Sequence, residues 1–341
     1  LWYCKPTYAV HLLFPDLRGY LGLPIVWNSS GPRNYIRGFG HYDRRTYHLE
    51  ERKKMKRIAC VGEAMIELSL TGEDAQVKVA GDTLNTAIYL CRASQELSVD
   101  YITCLGGDPL SDRISNFIFD NGVGTSQIKR IPSASPGLYA ITTTGDGERS
   151  FTYWRNSSAA RQLFADGDFS ILENYDAVYL TGISMAILPH SVRLGLLEWL
   201  KQSLIEVIYD SNYRPNLWKN ITEAREITSA FWNRADISLP SIDDEMLLFD
   251  ETAFEVTKRF VDNAKVGALK RGQKGPLSLG TEVHQAYGLA PTVVDTTAAG
   301  DSFNGGYLGS LLSGNSQADA LMRGHNLATI VVQHRGAIIP E

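Results

Sequence analysis

The 341-residue chain carries a net charge of −5 and a pI near 5.9, which excludes a general attraction to nucleic acid or anionic membranes and leaves any anion site a local feature. Hydrophobic residues make up 44% of it, enough for the core of a large α/β domain. Cys4, Cys60, Cys91 and Cys104 lack paired spacing and the seven histidines are scattered, so neither a disulfide framework nor a zinc site is expected. The thiols read as those of a reducing cytosol.

Residues 1–54 are crowded with Tyr, His, Trp, Arg, Gly and Pro and show no sustained periodicity, so they read as an extension outside the fold. Their most apolar stretch, 9–27, is broken by Pro15, Asp16, Arg18 and Pro24 and is neither a membrane span nor a secretory signal. Glu50-Glu51-Arg52-Lys53-Lys54 can be encoded entirely by purine codons, like a translated ribosome-binding stretch. Met55 is therefore the expected natural start, and a tryptic peptide from before it in native protein would overturn that.

From Met55 strands and helices alternate. Strands are expected at 58–62, 100–105, 177–181, 207–210, 237–239, 266–270 and 277–279. Helices are expected at 86–93, 111–120, 191–201, 224–232, 301–312 and 317–332. This order predicts one doubly wound domain over 55–341, with a mostly parallel sheet covered on both faces. Two strand-like regions interrupt it, 65–70 with 77–79 and 138–144 with 149–154, the latter joined by Gly145-Asp146-Gly147 as a hairpin. Outside a parallel sheet such strands serve either as a lid over the ligand cleft or as a peripheral hairpin.

Ala80-Gly81-Asp82-Thr83-Leu84-Asn85 opens the first helix. A helix cap accounts for Asp82 or Thr83 alone, whereas Gly81, Asp82 and Asn85 together place a carboxylate and an amide where a polyol could be held. Lys270-Arg271-Gly272-Gln273-Lys274-Gly275 offers cations and glycine backbone after a strand, the composition of a phosphate contact or of a solvated turn. No Gly-x-x-x-x-Gly-Lys-Ser/Thr loop is present, which argues against a P-loop mechanism.

Asp295-Thr296-Thr297-Ala298-Ala299-Gly300-Asp301-Ser302-Phe303 combines a strand end at Val293 and Val294, a small-residue turn and a helix start. The N–H groups of Ala298, Ala299 and Gly300 are expected to be free there, forming an anion site with the helix dipole. A carboxylate beside an anion makes sense as a proton acceptor for an attacking hydroxyl, which gives Asp301 the role of catalytic base. Helix capping alone accounts for an isolated Gly-Asp-Ser.

This stretch resembles the second signature of the ribokinase-type carbohydrate kinases, or phosphofructokinase-B family, Asp-Thr-x-Gly/Ala-Ala-Gly-Asp-x-Phe, and satisfies it in full. The resemblance implies a ribokinase-like three-layer α/β/α domain with a small β-sheet lid, an anion hole at Ala298, Ala299 and Gly300, ATP with Mg2+, and Asp301 as base. Residues 80–85 resemble the family's first signature, Gly-Gly-x-x-x-Asn, with Ala80 in place of its first glycine.

Gly62-Glu63-Ala64-Met65-Ile66-Glu67-Leu68, Pro136-Gly137-Leu138-Tyr139, Tyr153-Trp154-Arg155-Asn156, Asn212-Tyr213-Arg214-Pro215 and Gly336-Ala337-Ile338-Ile339-Pro340 resemble the branch of the family acting on 2-keto-3-deoxygluconate. That implies ATP-dependent phosphorylation of its C6 hydroxyl. Arg155, with Tyr139 and Tyr153, suits the substrate carboxylate, and Arg214 suits either that carboxylate or the ATP phosphates, with Asn212 beside it. The resemblance also assigns Lys270, Gly272, Gly275 and Asn326 to the nucleotide and Glu245 to a magnesium shell, although Ser241 and Asp244 blur the register of that last motif. A kinase for fructose, ribose or a nucleoside, and a catalytically silent sugar-acid sensor, are the alternatives. A cytoplasmic homo-oligomer paired through an exposed lid edge is expected.

Overall fold

The computed structural model describes residues 55–71, 73–143 and 149–340. The expected extension over 1–54 and the Gly145-Asp146-Gly147 turn lie outside the described residues.

In chain order the first strands are β1 (Lys56–Val61), β2 (Met65–Thr71) and β3 (Asp74–Ala80), followed by α1 (Asp82–Ala93), β4 (Leu97–Ile102), β5 (Cys104–Gly106) and α2 (Pro109–Asp120). Next come β6 (Lys129–Ile131), β7 (Gly137–Thr143), β8 (Arg149–Trp154), β9 (Ala177–Thr181), α3 (Gly182–Ile187) and α4 (His190–Gln202). The chain continues through β10 (Glu206–Asp210), α5 (Ile221–Arg234), β11 (Ile237–Ser238), α6 (Ile242–Phe249) and α7 (Ala253–Asn263). It closes with β12 (Val266–Leu269), β13 (Leu277–Leu279), α8 (Ala299–Leu312) and α9 (Gln317–Val331).

The main sheet has the order β13-β12-β11-β10-β9-β1-β4 and is parallel except at the β12–β13 edge. Its strands are apolar on both faces, as a sheet sandwiched between helices requires. In β1, Ala59 and Val61 pack with Met185, Leu196 and Phe231 on one side, while Ile58 and Cys60 pack with Leu84, Tyr307 and Leu321 on the other. That two-residue alternation places α3, α4 and α5 on one face and α1, α8 and α9 on the opposite one. Cys60, Cys91 and Cys104 are free thiols whose pKa values burial pushes up, those of Cys91 and Cys104 to about 12 and about 11. A second sheet, β3-β2-β7-β8, stands apart, with β2 and β7 parallel and hairpin pairings on either side.

α8 lies against both α1 and α9 because it is built with glycine where they touch. A Cβ on Gly305 would stand 2.4 Å from the Cβ of Tyr89, and one on Gly309 would stand 2.5 Å from that of Ala93. On the neighbouring face Gly306 meets Gly324 of α9 in the same way.

Val293 and Val294 do not form the expected strand. They lie 56% and 49% exposed, and the N–H groups of Val294 and Asp295 donate to the Val332 carbonyl at the end of α9 instead of to a neighbouring strand. α3, α6, α7 and β6 have no counterpart among the expected elements, and the strand expected at 100–105 is split between β4 and β5.

Candidate active site

A cavity of about 1320 Å3 opens where the carboxyl ends of the main-sheet strands meet the second sheet. Its floor joins the starts of α1 and α8, brought within reach by the glycine packing between them. The Asn85 amide nitrogen donates to Asp301 Oδ2 at 2.8 Å. Asp82, in the first turn of α1, accepts from Thr181 Oγ at 2.6 Å and from the Asn212 amide at 2.9 Å. Gly81 allows this approach, since a Cβ there would fall 2.4 Å from the Glu63 carbonyl oxygen.

Burial first, then the nearby charges of Asp82 and Asp210, push the pKa of Asp301 up to about 7, against the opposing pull of the Asn85 hydrogen bond and the Lys270 ammonium. Such a carboxylate can accept a proton near neutral pH and pass it on.

Next to Asp301 the chain makes a left-handed turn at Ala298, φ 60°, before α8 begins. Asp295 braces this turn: its Oδ1 accepts from the Thr297 N–H at 3.0 Å and hydroxyl at 2.6 Å, and its Oδ2 accepts from the Gly336 N–H at 3.1 Å. Lys270 sits beside the turn, so that a Cβ on Gly300 would lie 3.8 Å from its Nζ. The ammonium is held by Asp210 Oδ2 at 2.5 Å and Asn304 Oδ1 at 3.3 Å, and Asn304 in turn donates to Asp210 at 2.6 Å and to Tyr179 OH at 3.0 Å. A helix N-terminus, an open turn and a fixed cation thus converge on one spot, an arrangement suited to an anion.

The roof is the second sheet. Tyr139 and Tyr153 stack with ring centroids 5.4 Å apart, and both line the cavity with Phe151 and Arg155. The Tyr139 hydroxyl donates to Glu67, and burial followed by that carboxylate's charge raises its pKa. Arg214, with 53% of its side chain exposed, reaches in from the loop after β10 and touches Asp244 at 3.4 Å. The far end is more apolar, with Leu289, Ala290, Val293, Ala328 and Val332 around His325, whose Nε2 lies 2.7 Å from the Gly288 carbonyl oxygen.

The carbohydrate kinase profile of the pfkB family matches residues 55–341. This chain belongs to the pfkB family of carbohydrate kinases. Among pfkB proteins it is similar to the 2-dehydro-3-deoxygluconokinase of Dickeya dadantii, 41% identical over 84% of this chain and 97% of that one. The enzyme of the same name from Escherichia coli is 40% identical over 84% and 98%. A solved PfkB protein structure from a Polaromonas species superposes with a TM-score of 0.71 at 26% identity, covering 82% of this chain and 96% of that chain.

Gly81, Asp82, Asn85, Ala298, Ala299, Gly300 and Asp301 all line this cavity, as do Tyr139, Tyr153, Arg155, Asn212, Arg214, Lys270 and Gly272. Four expectations meet a different geometry. The N–H of Ala299 is not free, because it donates to the Thr296 carbonyl at 3.2 Å; those of Gly300 and Asp301 have no acceptor among the described residues. Gly275 is absent from the cavity wall and packs under Tyr287, whose ring a Cβ would meet at 2.5 Å. Asn326 is exposed one position off the lining stripe, which is His325, Ala328, Thr329 and Val332 at helical spacing. Glu245 faces the interior, where it accepts from Arg259 at 2.9 Å and Trp232 at 3.2 Å; burial raises its pKa to about 7 despite Arg259. Its neighbours Asp243 and Asp244 line the cavity instead.

Asp210, Asn304, Glu63 and His325 are site residues that the sequence reading does not assign. Asp210 carries a readable signal, a carboxylate at the carboxyl end of a parallel strand. Asn304 carries another, an amide in an otherwise apolar helix.

Proposed function

We propose that this protein transfers the γ-phosphoryl group of ATP to the C6 hydroxyl of 2-keto-3-deoxygluconate. The observation that carries the chemistry is Asp301, held by Asn85 with a pKa near 7 beside a turn flanked by Lys270. With the sugar acid in the cavity, Asp301 takes the C6 hydroxyl proton as the oxygen attacks phosphorus and ADP leaves. The free N–H groups at Gly300 and Asp301, the helix dipole and Lys270 offset the charge that develops on the transferred group. The lid aligns the reactants and keeps water out.

Arg155 and Arg214 supply the cationic character that a sugar acid needs and a neutral sugar does not, and relatives at 40–41% identity bear the name 2-dehydro-3-deoxygluconokinase. The adenine is assigned to the apolar end, against His325, Ala328 and Thr329. Asp243 and Asp244 line the cavity and would hold a magnesium ion, which would neutralise phosphate charge. Among the described residues no helix is long and apolar enough to cross a membrane, in keeping with the cytoplasm as the proposed location. Phe151, Tyr153 and Trp154 are half exposed on the edge strand β8, which supports pairing of the lid with a second copy; light scattering would test that.

The deciding experiment follows ATP consumption by purified protein with magnesium and, separately, 2-keto-3-deoxygluconate, fructose, ribose, adenosine and gluconate. Selective turnover of the keto-acid is expected. Faster turnover of a neutral sugar would overturn the substrate assignment and leave Asp301 as base.

A further inference from the structure

Glu63 follows β1 and ends no strand, yet it is 1% exposed, and its carboxylate is surrounded by the lid. Its Oε2 accepts from Arg155 Nη2 and its Oε1 from the Ser158 hydroxyl, two residues on the arm leaving β8. At the start of β7, Gly137 leaves room for it, since a Cβ there would come 2.6 Å from Oε1. On the other side its backbone oxygen packs against Gly81, immediately before the α1 turn that carries Asp82 and Asn85. One buried residue therefore ties the arm after β8 to the lid through its carboxylate, and through its backbone it packs against the start of α1.

The pairing determines what Arg155 can offer. Its side chain is 7% exposed and lines the cavity. Nη2 is held by Glu63, and Nε is buried with no acceptor. Nη1 makes no hydrogen bond among the described residues and is left as the donor for a ligand. A buried guanidinium without a counter-charge would be strongly unfavourable, so Glu63 both permits this cation at the wall and fixes the plane of its fork.

We propose that Glu63 is a positioning residue for substrate recognition: it anchors the lid and aims Arg155 at the carboxylate of the sugar acid. This rests on the function proposed above. Glu63 lines the cavity with its carboxylate bound to Arg155 and Ser158, so its removal is expected to weaken sugar-acid binding more than phosphoryl transfer.

The test is a double-mutant cycle read by steady-state kinetics, with Glu63→Ala and Glu63→Gln made alone and in an Arg155→Met background. Glu63→Ala is expected to raise KM for the keto-acid by at least about tenfold, with kcat within about threefold and KM for ATP unchanged. Glu63→Gln, which keeps the volume and one neutral acceptor, gives an intermediate rise. In the Arg155→Met background Glu63→Ala adds less than about twofold, because its target is already gone. An equal penalty in both backgrounds overturns the proposal, as does a parallel loss of kcat and both KM values with a falling melting temperature. If Glu63→Ala fails to fold, an unchanged keto-acid KM in Glu63→Gln overturns it. A wild-type protein that ignores the keto-acid overturns the functional reading and this one with it, whereas a failed cycle on an active wild type overturns only the role of Glu63.

Discussion

Replacing Asp301 with asparagine should impair the enzyme and strengthen the fold, by amounts the structure sets. The carboxyl rises from the ordinary aspartate value of 3.8 to about 7, chiefly through burial and the charge of Asp82. Between those pH values the folded protein keeps a proton that the unfolded chain has lost, so stability falls as pH rises and the cost is fully present above about pH 7. A displacement of that size corresponds to roughly 4 kcal/mol. Part of the side chain faces the cavity, and halving the figure for solvent screening leaves about 2 kcal/mol. The substituted amide would remain neutral at every pH, and its oxygen could still accept from Asn85. The variant should therefore melt on the order of 5 °C above wild type at pH 8 and together with it near pH 4. Turnover at pH 8 should fall by at least about two orders of magnitude, as expected for loss of a general base. Thermal melting against pH and a coupled ATPase assay on the same preparations give both quantities. A variant that melts below wild type at pH 8, or keeps near-native turnover, would refute the reasoning.

Asp82→Asn should move the acid limb of kcat/KM to lower pH, because Asp82 is the largest charge raising the Asp301 pKa; a pH–rate profile with an unmoved limb would count against that coupling. Glu245→Gln should leave the magnesium activation curve superimposable on wild type, since this side chain faces Arg259 and Trp232 and not the cavity; a shifted curve would return it to the metal shell. Gly305→Ala should cost about 1–3 kcal/mol in denaturant unfolding by forcing α8 off α1, and should slow turnover through the displaced Asn85–Asp301 contact.

Continuous apolar runs such as the one in β1 and the two-residue alternation of the lid strands made most elements legible in the sequence. α7 is absent from the expected elements although Thr252 and Glu255 form a capping box, a readable start signal. α6 also announces itself, with Asp243, Asp244 and Glu245 in its first turn. The register of α6 turns Glu245 toward Arg259 and Trp232. Val293 and Val294 failed for another reason: β-propensity marks a sequence that can pair, and here the available acceptor was the end of a helix. In the site, Gly81, Asp82, Asn85 and Asp301 were readable because each lies in a short local motif. Glu63 was not, since its buried charge has meaning only beside Arg155, 92 positions away. Asn326 missed by one residue, which on a helix is a turn of about 100°.

The contact between Asn85 and Asp301 also waits for the synthesis of α8. These two residues are 216 positions apart, so at ~5–20 residues per second the ribosome needs roughly 10–40 s to deliver the second after the first. Until α8 and α9 emerge, the α1 surface carrying Leu84, Ile88 and Tyr89 has no cover from them. Until α8 emerges the nascent chain therefore carries that apolar flank and one half of the candidate site, and it gains cover and the Asn85–Asp301 pair in the same step.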